Sequence, residues 1–92
     1  MRLTQKTDYA LRVLMYCAFQ QDREAPSTIS EIAESHKISR SHLMKIVMEL
    51  SAYGWLSTTR GRGGGIRLLI PADEIIIGEV VRKMEDNFTM VE

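Results

Sequence analysis

Arg60, Gly61, Arg62, Gly63, Gly64 and Gly65 stand together in the stretch TTRGRGGGIRLL, and Arg40, Ser41, His42 and Lys45 are gathered further upstream in RSHLMK. Both groups are rich in forked or short hydrogen-bond donors. Such donors suit phosphate oxygens and the edges of bases. A glycine run costs backbone entropy when it is ordered, so it needs a reason: a sharp turn, a bare backbone, or arginines that must project. From Lys37 to Arg67 the chain carries six cations (Lys37, Arg40, Lys45, Arg60, Arg62 and Arg67) and one anion, Glu49. The remainder offsets this surplus, so the formal net charge is zero. One contiguous basic third in a neutral chain is the electrostatic footprint of a nucleic-acid reader. The plainer alternative is a solvated face that happens to be positive.

Other chemistries fit poorly. The glycines lack the GxxxxGK[ST] spacing that cradles phosphates, and they join two strand-like segments where a phosphate loop or dinucleotide fingerprint would open a helix. No paired carboxylates and no Cys–His–acid arrangement suggest catalysis. His36 and His42 straddle a turn without a third ligand, which argues against a metal site. Cys17 is the only cysteine, which excludes an internal disulfide and a cysteine-based metal site within one chain. Ninety-two residues, 45% of them hydrophobic, suit a single domain with one core. No apolar run approaches the roughly 18–20 residues of a membrane span. The opening MRLTQKTDYALRV carries charges where a signal peptide needs an apolar stretch. A cytoplasmic protein with no membrane association is expected.

Those donors must be held by ordered elements. Thr4 is placed to cap a first helix running to about Gln20, with Ala10, Val13, Leu14, Cys17 and Ala18 toward the core. Pro26 marks a loop. Thr28 and Glu31 match a capping box, and Ile29, Ile32 and Ala33 give the next helix its apolar face. Lys37 and Ile38 form a tight turn, and Ser39 is a good N-cap. Leu43, Ile46, Val47 and Leu50 stand at i, i+3, i+4 and i+7, the stripe of a buried helix face. Gly54 sits where a helix end favours a left-handed residue. Two helices joined this way predict a helix-turn-helix, with its recognition helix at about 40–53. The outward face carries Ser41, Lys45 and Met48, flanked by Arg40, His42, Met44 and Glu49. Met44 and Met48 either touch thymine methyls or pack on a neighbour, and packing is the stronger expectation.

WLSTTR and IRLLI then alternate as strands, so the glycine stretch joins them in a hairpin over about 55–70. Pro71 ends the second strand, and GEVVRKMED predicts a last short helix with Val80, Val81 and Met84 on one side. A hairpin directly after a recognition helix is the wing of a winged helix-turn-helix. The fold class expected for residues 1–92 is therefore mainly α with a small β-hairpin. Arg60 and Arg62 at the wing can enter a minor groove, where a narrow groove strengthens the negative potential. The expected partner is double-stranded DNA. A module of the same fold whose basic helix binds an acidic protein is the alternative, and preference for a DNA sequence separates the two.

The segments MRLTQKTDYALRVLMY, ISEIAESHKISRSHLMKIVMELSAYGWL, RGRGGGIRL and IIIGEVV together resemble the iron–sulfur and nitric-oxide-responsive winged-helix repressors typified by IscR and NsrR. The resemblance spans nearly the whole chain and is closer to the NsrR branch. It implies a dimeric transcription regulator, usually a repressor, that senses nitric oxide or cluster status. It places Arg40, Ser41, His42 and Lys45 on the recognition helix and Arg60 at the minor-groove position of the wing. It also places Asp8, in TDY, where such proteins offer a carboxylate to the partner subunit's cluster. An acid favoured by the dipole of the first helical turn is an equal reading of Asp8. The family's three-cysteine loop and its long dimerisation helix lie beyond FTMVE, and the sequence stops at Glu92. No cofactor is therefore expected on this 92-residue chain, whereas an iron–sulfur cluster and a homodimer are expected of full-length relatives. Phe88, Met90 and Val91 lack a helix to join, which favours a truncated chain over a naturally short one. Ile76 stands where relatives commonly have a polar residue.

Overall fold

A computed structural model describes residues 3–85. Phe88, Met90 and Val91 lie outside the described residues. The chain runs through α1 (Gln5–Phe19), α2 (Ile29–His36), α3 (Arg40–Ala52), β1 (Leu56–Thr59), β2 (Gly65–Leu68), a short 3-10 turn (Ala72–Glu74) and α4 (Ile77–Met84). This is the winged helix-turn-helix arrangement, four helices and a two-stranded antiparallel hairpin.

α1, α2 and α3 each start where a side chain satisfies orphan backbone donors. Thr4 caps α1 by accepting from the Thr7 N–H. Thr28 and Glu31 form the reciprocal capping box of α2, and Ser39 caps α3. The start of α4 is different. Ile76 holds the N-cap position with no side-chain capping bond and is 57% exposed. An isoleucine has no side-chain oxygen to offer there.

Between α2 and α3 the chain turns on Lys37, the one non-glycine residue with positive φ (57°) among the described residues. Its N–H bonds the Ala33 carbonyl. This left-handed residue redirects the backbone so that α3 packs across α2. The buried faces of α1 (Ala10, Val13, Leu14, Cys17), α2 (Ile32, Ala33) and α3 (Leu43, Ile46, Val47, Leu50) meet in one core. Trp55, Leu56, Ile66, Val80 and Met84 complete it. Ala18 and Val81, expected on core faces, are only half-buried. Each sits at the margin of its helix's apolar stripe.

The hairpin is shorter than its hydrophobic alternation suggested. It pairs Leu56 with Leu68 and Thr59 with Gly65. Ile66 also exchanges backbone bonds with Ser27 (N–H to O distances give N···O 3.1 and 2.6 Å). β2 is thus held on both edges, and Ser27 is buried to 2% exposure. Gly65 is required at this crossing, because a Cβ there would run into the Ser27 carbonyl oxygen. At the tip, Gly64 N–H bonds Gly61 O at 3.0 Å. Gly63, third in that turn, has φ 78°, the sign a type II turn needs at that position.

The two ends of the described chain are tied together. Glu85, 4% exposed, accepts through Oε2 from the Thr4 N–H at 2.8 Å and the Thr4 hydroxyl at 2.7 Å. The Thr7 hydroxyl donates to the same oxygen. These bonds, Thr7 first, hold the Glu85 carboxyl below the ordinary glutamate value. The start of α1 is therefore locked to the end of α4.

Candidate nucleic-acid interface

The core stripe of α3 dictates what the helix shows to solvent. With Leu43, Ile46, Val47 and Leu50 buried, the opposite side of the cylinder carries Ser41, Met44, Lys45 and Met48, at i, i+3, i+4 and i+7. All four are exposed. Met44 is 47% and Met48 64% exposed. The expectation that both methionines pack on a neighbour is corrected here. Helical phase turns them away from a core that the four aliphatic residues already fill. Arg40, exposed, begins the same helix.

The hairpin stands beside this face. A groove of about 660 Å³ runs between α3 and the hairpin, with Met44 and Met48 on one wall and Thr58, Thr59 and Arg60 on the other. Arg62 follows at the exposed corner of the glycine turn. Arg40, Lys45, Arg60 and Arg62 make no ion pair among the described residues; the pairs there are Lys6–Glu49, Arg12–Asp8 and Arg23–Glu31. Glu49, the one acid of the basic third, is bound by Lys6 at 3.3 Å. Lys6 lies outside that third, so the pair removes a negative charge from the face. No local sequence signal marked this pairing across helices.

Three further side chains have defined partners. Arg67 is not a free surface cation. Its guanidinium donates to the Arg23 carbonyl at 3.1 Å and to the Glu24 carbonyl, tying β2 to the loop after α1. In β2 it stands opposite Ser57. His42 stands at the edge of the outward stripe. It is half-buried, with its ring edge-on to Tyr9 at 5.1 Å between centroids. His36 packs instead against Tyr16, at 6.1 Å. The two imidazoles are thus held by different tyrosines, and no group of three metal-ligating side chains occurs among the described residues.

A separate polar cluster braces the loop before α2. Glu31 takes both arms of Arg23 (3.1 and 2.8 Å), the Tyr16 hydroxyl (2.8 Å) and the Thr28 N–H (2.7 Å). Arg23 above all, with Thr28 and Tyr16, pulls the Glu31 carboxyl down to about 2. The same contact with Glu31 raises the Tyr16 hydroxyl.

The donor set here does not by itself fit an iron–sulfur cluster. Clusters are held mainly by cysteine thiolates. Cys17 is 3% exposed among core residues, and burial, with the charge of Glu31, pushes its thiol up to about 11. Asp8 lies in the first turn of α1, and Arg12 Nε donates to it at 3.2 Å. Its side chain keeps 49% exposure.

Comparison with known proteins agrees with this geometry. The chain is 52% identical over all its residues to the HTH-type transcriptional regulator NsrR of Bacillus subtilis, covering 62% of that protein. It is 49% identical, again over its whole length, to the protein of that name from Geobacillus kaustophilus, covering 62% of it. It therefore spans about three-fifths of the length of these relatives. Among solved structures, CymR (YrzC), described as the global cysteine regulator of B. subtilis, superposes with a TM-score of 0.86 at 27% identity, over 92% of this chain and 65% of that one. IscR of T. potens shares the fold, with a TM-score of 0.82 at 24% identity over 91% of this chain and 61% of that one. A family model described as Rrf2, iron-dependent transcriptional regulator, matches residues 3–92. With a family model matched over nearly its whole length and relatives at about half identity, the chain belongs to the Rrf2 family.

Proposed function

We propose that this chain is the DNA-binding part of a sequence-specific transcription regulator, a repressor that responds in its full-length form to nitric oxide, redox or iron–sulfur status. In this reading α3 is the recognition helix and the hairpin is the wing. The observation that carries it is the pairing of an exposed α3 stripe with an arginine-bearing hairpin across one groove, with Arg40, Lys45, Arg60 and Arg62 free of ion pairs among the described residues. Arg40, Ser41 and Lys45 face base edges and phosphates of a major groove, His42 contributes from the flank, and Arg60 and Arg62 enter the neighbouring minor groove. The role is binding and not catalysis, and it is exercised in the cytoplasm. The full-length protein acts as a homodimer on two half-sites about one helical turn apart.

The family's regulator names and its iron dependence support a cluster in the whole protein. Among the described residues, Asp8 is the ligand this reading offers to the partner subunit's cluster, in competition with Arg12. Selection from a random duplex library tests the DNA reading. Enrichment of one motif, with affinity at least tenfold above scrambled duplex, supports it. Binding that depends on charge alone, equal for every duplex and for an acidic peptide, contradicts it.

A further inference from the structure

The geometry points to Met44 and Met48 as the residues that read thymine, through apolar contact with its 5-methyl group in the major groove. This rests on the reading of α3 and the hairpin as a DNA-binding surface, and it adds which base that surface selects and by what chemistry. Large apolar side chains left in water are unfavourable unless something covers them. Here two lie one helical turn apart on the most outward line of α3, 47% and 64% exposed. Ser41 and Lys45 complete that line. Both methionines wall the groove that Arg60 closes from the other side.

The surroundings choose the occupant. The rim is cationic, from Arg40, Lys45, Arg60 and Arg62, and the one acid nearby on the helix, Glu49, is already engaged by Lys6. A polyanion that carries small apolar groups fits such a rim, and an apolar protein face does not. In a DNA major groove the only such apolar group is the thymine 5-methyl. Methionine is unbranched and polarisable, so it can follow a methyl whose position varies with local DNA shape. Ser41, on the same line, is left to hydrogen-bond a neighbouring base edge, and Lys45 to hold a phosphate.

The test is a cycle of two changes made on the 92-residue chain and a duplex selected from a random library. Each thymine of the selected site is replaced by deoxyuridine, which keeps Watson–Crick pairing and removes only the methyl. Affinity is then measured by fluorescence anisotropy for the parent chain and for Met44→Ala/Met48→Ala. Removing one buried methyl is expected to cost about fourfold in affinity. The parent should therefore lose about fourfold at one or two thymines and little at the others. The alanine variant should bind the thymine and uracil duplexes alike, and Met44→Leu/Met48→Leu should restore most of the difference. Both methionines are exposed, so folding of the variants is checked simply by circular dichroism. Equal parent affinity for the two duplexes overturns this inference and leaves the DNA reading standing. So does an alanine variant that keeps the parent's preference for thymine over uracil, which would show that the methionines do not read the methyl. Failure to select any motif overturns both.

Discussion

Arg40, Lys45 and Arg60 are all exposed cations, yet their positions ask different things of DNA. Lys45 sits on the outward line of α3 as a point charge, so Lys45→Ala should weaken all duplexes alike and lower the slope of log affinity against log salt by about one. Arg40 is forked and stands at the start of the helix. Arg40→Ala should cost about 1–3 kcal/mol and relax the choice at one base pair, read as a changed motif on re-selection. Arg60→Ala should weaken binding most where the flanking minor groove is A·T-rich; anisotropy titrations on paired duplexes check both. Away from the interface, Glu31 makes a prediction about acid. Its carboxyl is held at about 2, below the ordinary 4.5, chiefly by Arg23. A depressed carboxylate stabilises the fold in full above its unfolded value and loses that contribution as the pH falls through its folded one. Glu31→Gln should therefore lower the melting temperature at pH 7, with the gap closing toward pH 2. Thermal melts of both chains across that range decide it. At this scale the sequence exposed the donors but not their partners. Arg67 looked like Arg60 and Arg62 in composition, and only the fold shows its guanidinium spent on the Arg23 and Glu24 carbonyls.

Two backbone positions shape the joints next to α3 and the hairpin. Lys37 turns α2 into α3 with φ 57°, a conformation that costs an L side chain about 1–2 kcal/mol. Lys37→Gly relieves that strain against the added entropy of the unfolded chain. The net expectation is a gain of about 0.5 kcal/mol in urea denaturation. Gly65 passes close to the Ser27 carbonyl, so Gly65→Ala forces β2 away from the segment at Ser27. It should cost about 1–3 kcal/mol of stability and reduce DNA affinity by shifting the hairpin, seen in parallel denaturation and binding curves. The elements themselves were legible because local chemistry specifies them. Thr28–Glu31 and Ser39 announce helix starts, and the Leu43–Ile46–Val47–Leu50 stripe fixes which way α3 faces. The 3-10 turn at Ala72–Glu74 and the Ser27–Ile66 bridge were not legible. One is a single turn without a periodic signal, and the other joins residues far apart in sequence. The Glu85 lock on Thr4 and Thr7 escaped for the same reason. Periodicity tells which face is buried and not what lies against it.

As a whole, the molecule joins a neutral chain to one basic face, and the fold is what concentrates the charge. Glu49 is paired with Lys6, Arg67 is tied to the loop after α1, and the remaining exposed cations of the basic third include Arg40 and Lys45 on α3 and Arg60 and Arg62 on the hairpin. The candidate interface was therefore legible in outline from the charge run and the glycine–arginine stretch. The stripe of α3 already placed Met48 outward and Met44 beside it; how far each is exposed came only with the fold. The same core bears on iron. Cys17 is enclosed, with its thiol raised to about 11, so anaerobic reconstitution of this 92-residue chain with iron and sulfide should leave it colourless, with iron well below one cluster per chain. Visible absorption with iron analysis checks that outcome. The central claim is that α3 and the hairpin read DNA together, and it is tested by one competition titration. A labelled selected duplex is bound by the parent chain and by Arg40→Ala/Arg60→Ala, each verified as folded, and displaced by scrambled duplex. The account expects the parent to hold its site against at least tenfold excess scrambled duplex and the double variant to lose that preference. A folded double variant with unchanged affinity and unchanged preference would contradict it.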